Sequence, residues 1–449
     1  MRTQKIIFTL WGRWSVVLIL AFAIVSSHTN GIDGNGTGAR SMAMGGADVA
    51  WANDPLGAMA ANPAGLAFLD SAEFNLGIDA GILNGHFSKP GVSSGDLDNS
   101  PHAFPEGAIA FPFQSLPVTI GLSVTPDSLL LADWHYADPP GGLGGNISYG
   151  NQDDKSEIFL LRSALGASVK INSQWSLGAS AGLLYNENRL IAPYIFQNLS
   201  PAGDQKYDGA KTLLDLRTTG LGWNVMAGLL FKATSNLEFG VSYKSASTVN
   251  TTGGASGDPY AQFGVQPGVL AFHYNAAVKN KFPQEINAGA SWKFLPKWRT
   301  AVQVDWIGWS DAFNSLPISL SSGSNSKVNG VLGSSFSDNV PLNWSDEFVY
   351  RVGFEYELTE RFSLRAGYAY GDSPVPDSTL LPLTAAIMEH TFTAGVGYHW
   401  RWLQVDLAYQ YALPATQNIG VSGLRSGEYS NSSTEVSAHL IALTAGIRF

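Results

Sequence analysis

Residues 174–186 read "QWSLGASAGLLYN", and their spacing decides the class of fold. Trp175, Leu177, Ala179, Ala181, Leu183 and Tyr185 fall on one face, while Gln174, Ser176, Gly178, Ser180, Gly182 and Asn186 fall on the other; Leu184 alone breaks the split. A period of two places successive side chains on opposite sides of a sheet. The pattern returns in "FVYRVGFEYEL" (348–358), "RFSLRAGYAY" (361–370), "TFTAGVGYHW" (391–400) and "LQVDLAYQY" (403–411). A buried sandwich would alternate in the same way, so the connections have to discriminate.

Strands are expected near 71–87, 104–113, 117–126, 156–171, 174–190, 212–232, 236–250, 268–294, 297–311, 346–358, 361–371, 389–400, 402–412 and 435–449. The segment 268–294 is read as one strand despite Pro283, because splitting it spoils the rhythm of the joins. Those joins alternate between very short ("QSL", "NS", "ATS", "LP", "TE", Arg401) and long (88–103, 127–155, 191–211, 251–267, 312–345, 372–388, 413–434). Fourteen antiparallel strands with short turns at one end and long loops at the other describe an all-β transmembrane barrel of the bacterial outer membrane. Closure is required because an open sheet edge in hydrocarbon leaves rows of unpaired N–H and C=O groups. Trp175, Tyr185, Trp298, Trp309, Tyr356, Tyr370 and Trp400 near strand ends suit interfacial girdles.

Composition agrees. Charged residues are 14% of the chain, against about 25% in soluble proteins, with 12% aromatic and 49 glycines. Arg2, Lys5 and Arg13 precede the apolar run "WSVVLILAFAIV" (14–25), and Ser26-Ser27 offers a cleavage site, so residues 1–27 read as a signal peptide. Cleavage removes three cations and no acid from a chain of formal charge −10. That balance argues against nucleic acid as a partner. The chain has no cysteine, so no disulfide staples it.

Residues 28–70 fit neither period. Their centre, "NDPLGAMAANPAGLAFL" (53–69), is small, apolar and rich in turn signals: Gly45-Gly46, Asn53-Asp54-Pro55 and Asn62-Pro63. A barrel of this size has a lumen wider than its own side chains fill. Residues 28–70 are therefore expected to form a plug, or hatch, within the barrel of residues 71–449.

The stretch "GARSMAMGGADVAWANDPLGAMAANPAGLA" resembles the N-terminal hatch of FadL-type outer-membrane transporters of long-chain fatty acids and aromatic hydrocarbons, with Asn62, Pro63 and Ala64 matching their NPA motif. "FPQEINAGASWKF", "VDWIGWSDAF" and "RVGFEYELTERFSLRAGYAYGDSPVP" carry the likeness onward. The resemblance implies a monomeric fourteen-stranded barrel, a hatch in its lumen, passive delivery of hydrophobic ligands and a kinked third strand that opens the wall sideways. Long-chain fatty acids are the leading ligand and aromatic hydrocarbons the alternative; an adhesin or structural barrel and an open diffusion porin are the rivals.

Apolar side chains in otherwise polar loops are candidates for capture: Leu129, Leu130, Leu131, Trp134 and Tyr136 in the second long loop, and Tyr194, Ile195 and Phe196 in the third. The lateral opening is expected within 104–126, where Pro105, Pro112, Pro117 and Pro126 each delete a ladder donor and Gly121 offers a bend. Asp305, Arg351, Glu355, Arg365 and Asp406 face the lumen, either to meet a ligand carboxylate or to hold the hatch in a charged network. "GASAG" (178–182) fits the G-x-S-x-G pattern, but that motif needs a strand-to-helix turn, whereas Ser180 lies within the alternation. The histidines show no metal-ligand spacing, and no cofactor is expected.

Overall fold

The computed structural model describes residues 31–200 and 206–449; the signal-peptide reading and the first three residues of the plug lie outside them. Alternating segments that must satisfy their backbone in lipid close on themselves. The ladder runs through β1 (Glu73–Lys89), a short β2 (Ser93–Leu97), β3 (His102–Pro112), β4 (Val118–Ala137), β5 (Asn151–Lys170), β6 (Trp175–Ile195) and β7 (Lys211–Lys232). It continues through β8 (Leu237–Lys244), β9 (Ser247–Asp258), β10 (Phe272–Phe282), β11 (Glu285–Leu295), β12 (Trp298–Ile307), β13 (Ser315–Ser321) and β14 (Ser335–Pro341). It ends with β15 (Glu347–Glu357), β16 (Phe362–Gly371), β17 (His390–Trp400), β18 (Leu403–Ile419) and β19 (Ser432–Arg448). β19 pairs with β1 from Glu73↔Arg448 to Ser88↔Ser433, which seals the seam.

Several wall positions are built from two pieces. β8 and β9 both pair with β7 and run in line as one strand of the ring, and β11 and β10, which pair with them in turn, run in line as the next. β12 and β13 likewise pair with β15 and β14. Counted this way the wall is a closed barrel of fourteen antiparallel positions. Segment 268–294 is one of them, interrupted at Pro283, where the ladder must break because proline has no N–H to give.

The strands are longer than the sequence pattern marks. β4 runs to Ala137 and β9 to Asp258, well past the expected ends at 126 and 250, because the wall stands above the apolar band and encloses a second interior there. Leu221, Trp223 and Leu165 point outward and stay largely exposed, the surface that lipid covers. Trp175 stacks on Phe231 at 4.2 Å, and Trp298 lies 4.5 Å from Tyr356 near the short-turn end. Trp309 is a correction: it belongs to no girdle but is fully buried in a helical turn, against Phe313 and Trp344.

Residues 31–69 lie inside the ring. Helix α1 (Ala39–Ala43) sets Ala39, Met42 and Ala43 on Ala408 and Ala442 of the wall. Helix α2 (Pro55–Ala60) starts at Asp54, whose carboxylate accepts from Gly57 N at 2.8 Å, and brings Met59 with Leu66 against Ala110 and Ala164. Alanine faces alanine because backbones this close leave room for little else.

Candidate functional site

Asn62 shows how the inner segment is fixed. Its Oδ1 caps the turn Pro63–Phe68 by accepting from Ala64 N at 3.1 Å, as an N-cap does, while its Nδ2 donates to Val49 O at 2.8 Å and Leu229 O at 3.2 Å. One side chain thus joins two stretches of the inner segment to β7. Gly45, at φ 68°, brings the segment against β16: a Cβ there would stand 2.9 Å from Tyr368 N. Gly46, at φ 74°, lies beneath the Arg351 guanidinium.

The five lumen charges are spent on one another and on this segment. Arg351 Nε meets Asp305 Oδ2 at 2.5 Å, and its Nη1 donates to Asn35 Oδ1 and to Gly45 O. Arg365 joins Glu355 at 2.7 Å and Asp406 at 2.6 Å. Within the segment, Arg40 bridges to Asp54 at 2.7 Å and stacks on Trp51, whose ring also meets Arg299. Asp48 accepts from Ser41 Oγ at 2.6 Å, and burial pushes its carboxyl up to about 6.

Above the inner segment, beneath the long loops, lies a cavity. Strands supply Leu130, Ile158, Leu190, Ile195, Leu216 and Ile318; loops supply Phe313, Trp344, Leu383, Leu424 and Tyr429. Its lining is overwhelmingly apolar, which suits a ligand held by burial of hydrocarbon. Of the sequence candidates, Leu130, Tyr194 and Ile195 line it. Leu129, Leu131 and Trp134, with Leu130, border a smaller neighbouring cavity of about 410 Å³.

Trp134, Tyr136 and Phe196 are packing residues. Trp134 Nε1 donates to Pro382 O at 2.9 Å; the Tyr136 and Tyr429 hydroxyls lie 3.1 Å apart; Phe196 meets Tyr194 and Phe336 edge to face. Leu129 to Tyr136 also belong to β4 rather than to a loop. The cavity residues from 313–344, 381–384 and 424–429 were not singled out in the sequence, although the run "LLPLTAAIM" (380–388) carried the signal.

A third cavity, of about 600 Å³, separates the inner segment from the wall and is lined by Asn35, Thr37, Phe104, Glu106, Pro126, Asp127 and Leu129 among others. The ladder fails beside it. β3 pairs with β4 only between Gly107↔Val124 and Pro112↔Thr119, and β2 resumes the pairing at Leu97↔Trp134. Residues 102–106 have no ladder to β4, whose own register with β5 shifts between Pro126 and Ser128. The break is thus flanked by Pro105 and Pro126. Pro112 ends β3 and Pro117 precedes β4 at the short-turn end, and Gly121 sits in regular register with Ala110 and Gly166, where its lack of a side chain admits Met59 and Leu66. At the break the inner segment touches β4 directly: Leu129 N donates to Ile32 O at 2.8 Å and Ser128 Oγ to Asp33 Oδ1 at 2.5 Å. Residues 126–134 of β4 therefore border all three cavities.

Over the large cavity the loops are tied by one lysine. Lys211, wholly buried, reaches Asp138 Oδ1 and Glu428 Oε2, each at 2.6 Å, and Pro139 O at 2.8 Å. Burial pushes the Glu428 carboxyl up to about 7, although Lys211 opposes the shift. Ser180 stands mid-strand and accepts from Arg162 Nη2 at 2.8 Å.

A family model described as outer membrane protein transport protein (OMPP1/FadL/TodX) matches residues 22–449. The chain belongs to the OMPP1/FadL/TodX family. It is an outer-membrane transport protein for hydrophobic compounds. Its relatives include the long-chain fatty acid transport protein of Escherichia coli, 22% identical over 400 residues that cover 82% of this chain and 81% of that one. Among solved structures, the Pseudomonas putida toluene transporter TodX superposes with a TM-score of 0.73 at 22% identity, covering 94% of this chain and 100% of that one. The Ralstonia pickettii toluene transporter TbuX gives 0.70 at 19% identity, with 92% and 99% covered. At these identities the structural likeness establishes the fold.

Proposed function

We propose that this FadL/TodX-family chain takes apolar compounds from the cell surface into the outer membrane by capture in the cavity beneath its loops and release through the gap beside β4. Relatives named for long-chain fatty acids and for toluene bracket the ligand's chemistry. The observation that carries the reading is the placement of the cavities. A large apolar chamber above, the ladder break below it and an inner segment filling the lumen lie along one strand, β4. Capture draws on about 25 cal/mol per Å² of hydrocarbon buried. Release follows the ligand's partition into lipid, so no nucleotide or ion gradient is required. Residues 31–69 serve as the plug, the lumen charges hold it, and the protein acts as a monomer, without enzymatic chemistry.

The test is uptake of labelled oleate and labelled toluene by cells with and without the protein. Leu130→Asn with Ile195→Asn lowers uptake of the carried compound several-fold while the barrel still assembles, as judged by heat-dependent gel mobility. Undiminished uptake in an assembled double variant overturns the capture assignment.

A further inference from the structure

We propose that the outer face of β9 and β10 binds the phosphate groups of outer-leaflet glycolipid, held by Lys279 and Lys281. On β10 the inward side chains Tyr274, Ala276 and Val278 join the core, which leaves Lys279 and Lys281 exposed on the outer face. Two residues apart on one strand, their Cα atoms lie about 7 Å from each other. Their height is fixed by what lies below them. β11 continues the same wall position downward, and its Ile286, with Val241 and Tyr243 of β8, belongs to the exposed apolar surface that lipid covers. The Tyr243 hydroxyl donates to Gln284 Oε1 at 3.2 Å and marks the upper rim of that band, where an aromatic with one wet end belongs. Lys281 precedes Gln284 by three residues, so both ammonium groups stand where head groups begin.

Neither lysine faces an anion of the protein's own. Lys155, Arg189 and Arg217 are each answered by a carboxylate: Asp133 at 2.6 Å, Glu157 at 3.4 Å and Asp215 at 3.1 Å. Beside Lys279 and Lys281 the outward positions of the neighbouring strands are Thr248, Asn250, Pro317 and Ser319, with hydroxyls and an amide but no carboxylate. Two unanswered ammonium groups among neutral donors are the complement of a phosphate monoester, which takes charge-assisted bonds from the lysines. The arc from β1 to β5 is opposite in sign: there Asp96 and Asp153, with side chains 78% and 71% exposed, flank His86 and His135. An anionic lipid is thus drawn to the β9–β10 arc and away from the arc that carries the ladder break. The occupant is a lipid and not a free anion because the site adjoins the apolar band. Acyl chains can rest on Val241, Tyr243 and Ile286 while the phosphate meets the lysines above.

The test is native mass spectrometry of the detergent-purified protein, titrated with bisphosphorylated lipid A, with the same lipid stripped of its phosphates, and with inorganic phosphate. The expected result is a saturable adduct of bisphosphorylated lipid A. Its dissociation constant rises at least about tenfold in the double variant Lys279→Gln with Lys281→Gln, since each basic residue near the surface adds its own attraction for anionic head groups. Lys279→Arg with Lys281→Arg keeps the native value, and so does Lys155→Gln, whose cation is already paired. A double glutamine variant that keeps its heat-dependent gel mobility and binds like the native chain overturns the proposal. So does equal binding of the stripped lipid. Displacement of the adduct by equimolar inorganic phosphate also overturns it, because the site would then belong to the free anion.

Discussion

Asn62 makes three hydrogen bonds through the two polar atoms of its amide, and no other residue type reproduces the set: the oxygen must cap while the nitrogen donates twice. Asn62→Ala forfeits the cap, worth about 1 kcal/mol, and leaves Val49 O without its partner at a further cost of about 1 kcal/mol. The expected outcome is earlier proteolytic cleavage within residues 47–65 of a barrel that still shifts on heating. Asp48 offers a test by pH. Its carboxyl titrates near 3.8 when free and at about 6 in the folded chain. The folded state therefore binds the extra proton, its contribution is intact below the free value, and it is lost as pH rises through about 6. Hydrogen exchange of residues 41–51 should quicken between about pH 4 and 6, and Asp48→Asn should flatten that dependence. Asn62 and Gly45-Gly46 could be read from the sequence because turn chemistry is local. The tie between Lys211, Asp138 and Glu428 could not, since its members lie 73 and 217 residues apart and each resembles an ordinary surface charge.

At the scale of the element, β4 is where the sequence pattern misleads. Proline is visible in a sequence, but a bulge is one residue too many opposite a neighbour, and composition does not record it. Hence composition points to Pro112, Pro117 and Gly121, although the two prolines bound strands and it is Pro126 that sits where the register shifts. The hydrophobic run Leu129–Leu131 reads as loop for a related reason: alternation lapses where both faces of a strand are covered, as they are beside the cavities. Deleting Asp127 removes the extra residue and carries a regular β4–β5 ladder through the break. Uptake should then fall several-fold with assembly unaffected; unchanged uptake would place the exit elsewhere. Lys211→Met strips both carboxylates of their shared cation at a cost of about 3–5 kcal/mol, localised to the loops. Protease accessibility of residues 138–150 and 420–431 should rise while the strands stay protected.

For the whole molecule, fourteen wall positions and their up-down order were legible because the period of two and the alternation of join lengths are repeated signals, and errors in one strand do not propagate. Barrel height was not, because strands that rise past the lipid keep their backbone pairing while their outward faces turn polar and read as loop. A filled lumen has an electrical consequence. Planar bilayers containing the intact protein should stay quiet, whereas the chain lacking residues 31–69 should give open-pore current steps.

The seam between β1 and β19 adds a constraint on the order of events during biogenesis. The inner segment grips the wall on opposite arcs, at Leu229 on one side and at Tyr368 and Thr393 on the other, and the chain that bears it runs straight into the first strand. Once Phe449 N has met Ala72 O, the perimeter is shut around whatever it encloses. The nascent sheet must curl about the already seated leader, as a cooper bends staves around a fixed former. A variant whose leader docks late should therefore accumulate as an unsealed precursor and not as an empty, finished tube.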